Sequence, residues 1–370
     1  MNLAFFLTSG TSLQLWKERG WLDGGTALKS YNAWAARFDK IYLITYGDKR
    51  DLLLKHHLKE NFIILPKKVC LPSWLYSFII PFVYKNELRD SHIYITTQME
   101  GSWSAALAKL LYKKKLIVRC GYLWSLSLFK KNFKGKLAKC LSPLLEKNIF
   151  RTADHTIVTS DYAKQYVIEK YTISEDKVTV IPNPVDTSLF CPKTTPTTLN
   201  TLVYVGRLEK EKNPELLMRA IVGLNVKLII FGVGSLKSEI NEFANNHRID
   251  VDFKNNVSTN DLANELKNHT IFISPSKYEN SPKALLEAMS CGLAVIGTDV
   301  RGTNEVITNN YNGILCKPES RDLRKAIITL LNDVNLQKKL GQNARTYICE
   351  KFDLQTKIAA DLDVFRKVLS

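Results

Sequence analysis

The chain has 370 residues, 45% of them hydrophobic and 24% charged. This is ordinary globular usage; it excludes a disordered or fibrous protein, and the length favours two cores over one. With 52 basic against 36 acidic residues, the net charge of +16 directs attention to anionic partners.

The N-terminus, MNLAFFLTSG, lacks the basic segment, long apolar core and cleavage site of an export signal, and reads as a buried first strand. Thr8-Ser9-Gly10-Thr11-Ser12 follows as a turn of small hydroxyl residues, with Gly24-Gly25-Thr26 further on. IYLITYG (41–47) is the next strand. The most apolar run, Trp74 to Tyr84 (WLYSFIIPFVY), is about half of a bilayer span and contains Pro81, so it is no transmembrane helix. It reads as a core segment rather than an interfacial one, although its aromatic residues suit both.

HIYITT (92–97) and KLIVRC (115–120) continue the strands. Between Glu100 and Glu146 there is no acid, while Lys109, Lys113, Lys114, Lys115, Arg119, Lys130, Lys131, Lys134, Lys136 and Lys139 fall in that interval. Such a block, partly amphipathic over LFKKNFKGKLAKCL (128–141), suits phospholipid headgroups or nucleic acid; the plain alternative is a solvated lysine-rich face.

HTIVTS (155–160) and KVTVIP (177–182) close the first series of strands, and the Pro- and Thr-rich stretch 182–200 interrupts the rhythm as a linker would. The alternation resumes with TLVYVG (201–206), KLIIFG (227–232), VDF (251–253), TIFISP (270–275) and LAVIGT (293–298). Helical patterns lie between most of these strands, which predicts an α/β protein of two parallel-sheet domains joined near residue 190. The segment from Phe352 to Ser370 has helical periodicity. Cys70, Cys120, Cys140, Cys191, Cys291, Cys316 and Cys349 are scattered singly, without zinc spacing, and fit a reducing cytosol.

In parallel sheets ligands bind beyond the carboxyl ends of the strands, so the chemistry is sought there. After 201–206 come Gly206-Arg207-Leu208 and Lys212, a close turn with a planar fork and a point charge that suit a diphosphate, or else two surface cations in a charged loop. Gly232-Val233-Gly234 after 227–232 permits close approach of a ligand but is also a good turn. After 270–275 comes SPSKYENSPKALLEAMSCG, where Ser281 reads as the N-cap and Pro282 as the first residue of a helix that ends at Gly292. Glu279 then precedes the helix and Glu287 lies about 8–9 Å along its axis, bracketing an N-terminus that favours phosphate. A ligand with hydroxyls at both ends and phosphates between them fits two carboxylates so placed. Asp250-Val251-Asp252 is formally a metal-binding Asp-x-Asp; it precedes a strand rather than following one, and is read as chance.

Gly206-Arg207-Leu208 with Lys212-Asn213, Phe231-Gly232-Val233-Gly234, Ser276-x-x-Glu279-x-x-Pro282, Leu286-Glu287-Ala288-Met289-x-x-Gly292, Gly302-x-x-Glu305 and Asn312-Gly313 occur in an order that resembles glycosyltransferase family 4, retaining enzymes of GT-B fold. Ile181-Pro182-Asn183-Pro184-Val185-Asp186 is similar to that family's interdomain signature, whereas the N-terminal half matches only in strand rhythm. The resemblance implies two Rossmann-like domains facing each other across a cleft: residues 1–187 binding the acceptor, 188–352 binding the nucleotide sugar, and a helix over 353–370 packing back on the N-terminal domain. It implies that Arg207 and Lys212 hold the donor diphosphate, Glu279 the donor sugar and Glu287 the ribose. Arg207, Lys212 and Glu279 would be the catalytic set; Gly206, Gly232, Asn280, Ser281, Pro282, Lys283, Ala284 and Leu285 complete the donor-binding surface.

The family usually has glycine where Asn280 stands, so donor fit there is expected to differ. Relatives often have His-Gly where this chain has Cys120-Gly121, and a thiol does not replace imidazole; Arg119 and Tyr122 are the candidate substitutes. On the acceptor side, Ser9, Gly10 and Thr11 stand where many relatives carry a glycine loop. The implied reaction is sugar transfer with retention, in which a leaving-phosphate oxygen takes the acceptor's proton, with no metal and no cofactor besides the donor. UDP is favoured over GDP as the nucleotide.

A basic chain without an export signal fits the cytoplasmic, inner face of a bacterial membrane, with the 109–139 region on anionic lipid and a polyprenyl-diphosphate-linked saccharide as acceptor. Capsule, O-antigen or exopolysaccharide synthesis would use such an activity. A nucleotide-sugar epimerase or hydrolase of the same fold is the competing reading. A nucleic-acid-binding protein would not need Glu279 and Glu287 beside a phosphate site.

Overall fold

The computed structural model describes residues 1–370 except 23–24, 127–132, 194–200, 256 and 280; for residue 126 and residues 133–140 only the backbone is described. The chain forms two compact units, Met1–Pro182 with Lys357–Ser370, and Asn183–Thr356. The basic stretch 128–141 lies largely outside the described residues, as does Gly24.

The first unit holds seven strands: β1 (Asn2–Phe6), β2 (Lys40–Ile44), β3 (Phe62–Leu65), β4 (Ile93–Thr96), β5 (Lys115–Cys120), β6 (His155–Val158) and β7 (Val178–Val180). Every pairing is parallel, in the order β3-β2-β1-β4-β5-β6-β7. Runs such as IYIT in β4 are buried on both faces, as a sheet covered by helices on each side requires. On one face Tyr76, Ile80, Ala105, Ile149 and Val167 come from successive helices. On the other, Leu13, Leu28 and Trp34 are joined by Phe365 and Val368 of the terminal helix Leu354–Leu369, whose Phe365 ring meets Trp34 edge-on at 5.4 Å.

The second unit holds β8 (Thr201–Val205), β9 (Lys227–Phe231), β10 (Asp250–Lys254), β11 (Ile271–Ser274), β12 (Ala294–Thr298) and β13 (Ile314–Cys316), again all parallel, in the order β10-β9-β8-β11-β12-β13. In both sheets the order reverses between two neighbours, β1 and β4 in one and β8 and β11 in the other. At such a reversal the loops after the two strands part in opposite directions and leave a crevice at the carboxyl edge. Two doubly wound parallel sheets, one in each unit, make this an α/β chain, as the strand rhythm predicts.

Three expectations change. Residues 183–193 are no free linker: Val185 bridges Asp353, and the buried Phe190 carbonyl accepts from Ser290 Oγ and from Arg345. Asp250 and Asp252 lie on the edge strand β10 rather than ahead of it, and Asp252 pairs with Lys254 at 3.1 Å. The helix Ser73–Val83 buries Tyr76, Ser77 and Ile80 but leaves Trp74, Phe78 and Phe82 in solvent, so 74–84 is core on one side only. β3 and β13, four and three residues long, are additions at sheet edges that the strand pattern of the sequence does not single out.

Candidate active site

The crevice between β8 and β11 gathers most of the residues singled out in the C-terminal half. Past β8 the chain turns back on itself, with Lys212 N donating to the Glu209 carbonyl at 3.0 Å. Past β11, Lys277 N donates to the Glu211 carbonyl at 2.9 Å, so the two loops are joined through their backbones. That join brings the Lys212 ammonium to Glu279 Oε1 at 2.5 Å. Ser276 Oγ donates to the same oxygen at 2.7 Å, and Thr298 Oγ1 in turn holds the Ser276 carbonyl. Glu279 is buried and Lys212 mostly so, hence the pair is better screened from water than an ordinary surface ion pair.

A third loop supports this carboxylate. Glu279 N donates to the Arg301 carbonyl at 2.9 Å, and Gly302 sits at φ 83° directly against it. A Cβ on Gly302 would come within 2.3 Å of the Glu279 carbonyl oxygen, so no side chain fits there. Gly302→Ala is expected to cost about 2 kcal/mol or more of stability, from the left-handed backbone and the backbone clash together. Denaturant unfolding checks this; a change below about 0.5 kcal/mol would contradict it. The glycines after β8 and β9 act similarly: a Cβ on Gly232 would lie 2.0 Å from the Gly206 carbonyl oxygen, so the two turns touch backbone to backbone.

Arg207 is solvent-exposed and pairs with Glu211 at 2.7 Å, apart from the Lys212–Glu279 pair but at the same edge. Both Glu279 and Glu211, with burial as the larger cause, push the Tyr204 hydroxyl upward in pKa, while Arg207 opposes them. Beneath the pair lies a cavity of about 30 Å³ between Tyr204, Lys212, Ser276, Glu279 and Leu285, room for about one water molecule.

The helix beyond Glu279 runs Lys283–Ser290 with Pro282 as its N-cap, one residue later than the sequence predicts. Ser281 is therefore not the capping side chain: its carbonyl accepts from Lys283 N at 2.9 Å instead. Pro282 has no side-chain acceptor, so the first turn after it carries no side-chain cap, and Pro282, Lys283, Ala284 and Leu285 line the small cavity together with Lys212 and Glu279. Ala284 is partly exposed there and Leu285 is buried. Glu287 is buried too, with Lys283 at 3.2 Å as its ion partner. Burial raises its pKa and Lys283 lowers it by a smaller amount. Asn280 lies outside the described residues.

In the first unit, Ser9, Gly10 and Thr11 form a tight turn after β1, with Gly10 at φ 79° and Thr11 N donating to the Thr8 carbonyl. Ser9 N donates to the Glu100 carbonyl at 3.2 Å, which joins this turn to the loop after β4. Burial, and after it the nearby Glu100 carboxylate, raises the Tyr122 pKa. Glu100 is thus a polar residue at this edge that the sequence reading noted only as the end of an acid-free interval. Cys120 is buried and its thiol donates to the Tyr122 carbonyl at 2.9 Å. The structure corrects Arg119: its guanidinium is buried against Asp361 at 3.0 Å and is committed there rather than offered to an acceptor. A wider depression of about 410 Å³ opens by β1–β3, between Ser12, Gln14, Arg50, Lys67 and Lys68.

Comparison with known proteins accords with this geometry. The family described as Glycosyltransferase Family 4 matches residues 28–189, and that described as Glycosyl transferases group 1 matches residues 188–347. The chain is 27% identical over 336 residues, 83% of this chain and 86% of its relative, to the N,N'-diacetylbacillosaminyl-diphospho-undecaprenol alpha-1,3-N-acetylgalactosaminyltransferase of Campylobacter jejuni. It is 27% identical over 254 residues to the UDP-Gal:alpha-D-GlcNAc-diphosphoundecaprenol alpha-1,3-galactosyltransferase of Escherichia coli, covering 63% of this chain and 65% of that one. Among solved structures, HepE of Anabaena in complex with UDP superimposes with a TM-score of 0.77 at 17% identity, over 99% of this chain and all of the other, a likeness of fold. With one family matched by its N-terminal half, the other by its C-terminal half, and the GT-B fold beneath both, the chain belongs to glycosyltransferase family 4.

Proposed function

We propose that this glycosyltransferase moves a sugar, with retention at the anomeric carbon, from a nucleoside-diphosphate sugar to a hydroxyl of a lipid-linked saccharide. UDP is the favoured nucleotide and bacterial surface polysaccharide the favoured pathway. The observation that carries the reading is the Lys212–Glu279–Ser276 cluster at the β8–β11 crevice, beside a helix start whose amides suit phosphate. Two relatives named for diphosphoundecaprenol substrates support the acceptor class.

In this proposal Lys212 and Arg207 meet the diphosphate, and the first-turn amides after Pro282 share its charge. As the bond from the anomeric carbon to the phosphate oxygen breaks, that oxygen gains charge, and fixed cations and amides stabilise it most in the transition state. A leaving-phosphate oxygen takes the acceptor hydroxyl's proton as the new glycosidic bond forms on the same face. Glu279 positions the sugar and Glu287 the ribose. The step as proposed uses no metal. Ser9, Gly10, Thr11 and Tyr122 are the proposed acceptor-side contacts, and Arg50, Lys67 and Lys68 around the wider depression suit the acceptor's phosphates.

The test is thermal stabilisation by UDP, GDP, ADP and CMP, each with and without chelator. The expected result is one selective diphosphate, UDP, raising Tm by an amount that grows with its concentration over Kd, unaffected by chelator and reduced in Lys212→Ala. No shift with any nucleotide would remove the donor-site assignment, and loss of the shift on chelation would overturn the metal-free reading.

A further inference from the structure

We propose that the outer surface of the helices Ser73–Val83, Ser102–Tyr112 and the C-terminal part of Phe133–Thr152 docks on an anionic phospholipid bilayer, with aromatic and leucine side chains entering the headgroup–acyl boundary. The inference deepens the lipid-linked acceptor reading, and its purpose rests on that reading; its evidence is this surface.

All three helices lie on one face of the first sheet, since Ile80, Ala105 and Ile149 enter the same buried cluster. Neighbours are in contact: Phe78 stacks on Trp103 at 6.3 Å, and Tyr112 donates to the Pro81 carbonyl at 2.7 Å. The sides of these helices turned away from the sheet therefore form one surface.

On the first helix that surface is Trp74, Phe78 and Phe82, four residues apart and so one above another. They are 60%, 49% and 61% exposed, although the same helix already buries Tyr76 and Ile80 on its inner side. A helix apolar on both sides belongs in a core or against lipid, and this one has core on one side only. The next helix adds Leu110 and Leu111, at 68% and 45%, and the third adds Leu141, Leu144 and Leu145. Single exposed apolar residues need no explanation, but a ridge continued across three neighbouring helices does.

Charge selects lipid over a second protein chain. Lys85 and Arg89 follow the first helix together with Glu87 and Asp90, which balance them, so the excess of positive charge comes from Lys113 and Lys114 after the second helix and Arg151 at the end of the third, all exposed or partly so. Cations at the C-terminal ends of the three helices and a tryptophan at the N-terminal end of the first flank an apolar ridge, which matches a headgroup layer that is anionic outside and apolar beneath. No helix among the described residues is long and apolar enough to cross a membrane, so the contact is along the surface.

The experiment is flotation of the full chain with vesicles of phosphatidylcholine alone or with phosphatidylglycerol, following tryptophan emission. The wild type is expected to float with the anionic vesicles, with a blue shift, and to bind less at high salt. Trp74→Ser/Phe78→Ser/Phe82→Ser is expected to lose at least about tenfold in partitioning, and Lys85→Glu/Lys113→Glu/Lys114→Glu to lose its preference for anionic lipid. Both variants should keep the wild-type nucleotide stabilisation, which shows that they fold and separates this inference from the transferase reading. Wild type that stays in the aqueous layer, or an aromatic variant that floats as well as wild type, overturns the proposal. So does a lipid-free dimer that the aromatic substitutions dissociate, since the ridge would then be covered by a second copy.

Discussion

Lys212→Ala is expected to lower kcat/KM for sugar transfer by about 10²–10³-fold, the scale of removing one preorganised charge from a site where anionic charge develops. The side chain is three-quarters buried and its partner Glu279 nearly all buried, so no other cation shifts easily into its place. Nucleotide binding should fall less than turnover, because the charge on the leaving phosphate grows only as the bond breaks. Lys212→Arg keeps the charge but brings a wide planar fork to a place shaped for an ammonium, and should recover only part of the loss. Glu279→Gln behaves differently: it keeps the acceptor oxygen for Ser276 but removes a negative charge beside the proposed diphosphate. Its nucleotide affinity should hold or rise while kcat falls. Single-turnover transfer with the nucleotide sugar picked out by thermal stabilisation decides the matter; a Lys212→Ala enzyme within about threefold of wild type would remove Lys212 from the transition state.

Much of this crevice was legible because its residues are fixed by backbone necessity. Gly232 and Gly302 stand where a Cβ would strike a neighbouring carbonyl, and Pro282 stands where a helix begins, so glycine and proline mark the loops in the sequence itself. The strands announced themselves as apolar runs of four to six residues because parallel sheets bury both faces. What local pattern does not carry is pairing between distant segments. Asp361 lay in a segment read only as helical, and Arg119 read as a candidate for acceptor contact, because nothing in either segment records that they meet across 242 residues. The helix Ser73–Val83 misled for a related reason: apolar composition says that a face leaves water, not which of several faces does so in this chain. Glu100 read only as the end of an acid-free interval because its neighbour Tyr122 is delivered by a different strand.

Asp361→Asn should be the most destabilising single substitution of a charged residue in the first unit, by about 3–5 kcal/mol. Asp361 is 1% exposed and is the shared carboxylate of two buried cations: one oxygen accepts from Arg119 at 3.0 Å, and the other from Lys357. An amide of the same shape leaves both cations buried without a counter-charge, and Arg119 cannot shed its proton. Lys357 can. Burial, reinforced by Arg119 and opposed by Asp361, already lowers its pKa from 10.5 to about 8. Between those values the unfolded chain holds the proton that the folded chain has released, so stability rises with pH there and is lost as pH falls through about 8. Without Asp361 the folded value drops further, and Lys357 escapes its penalty at lower pH. The deficit of the variant against wild type should therefore be larger near pH 6 than near pH 9, as denaturant unfolding at about those two values would reveal. A deficit below about 1 kcal/mol, or one that grows with pH, would mean that water rather than Asp361 compensates these cations. The triple change Arg119→Leu/Lys357→Met/Asp361→Leu supplies the converse: with all three charges gone, stability should return to about the wild-type level, because the cost lies in breaking the cluster rather than in lacking it.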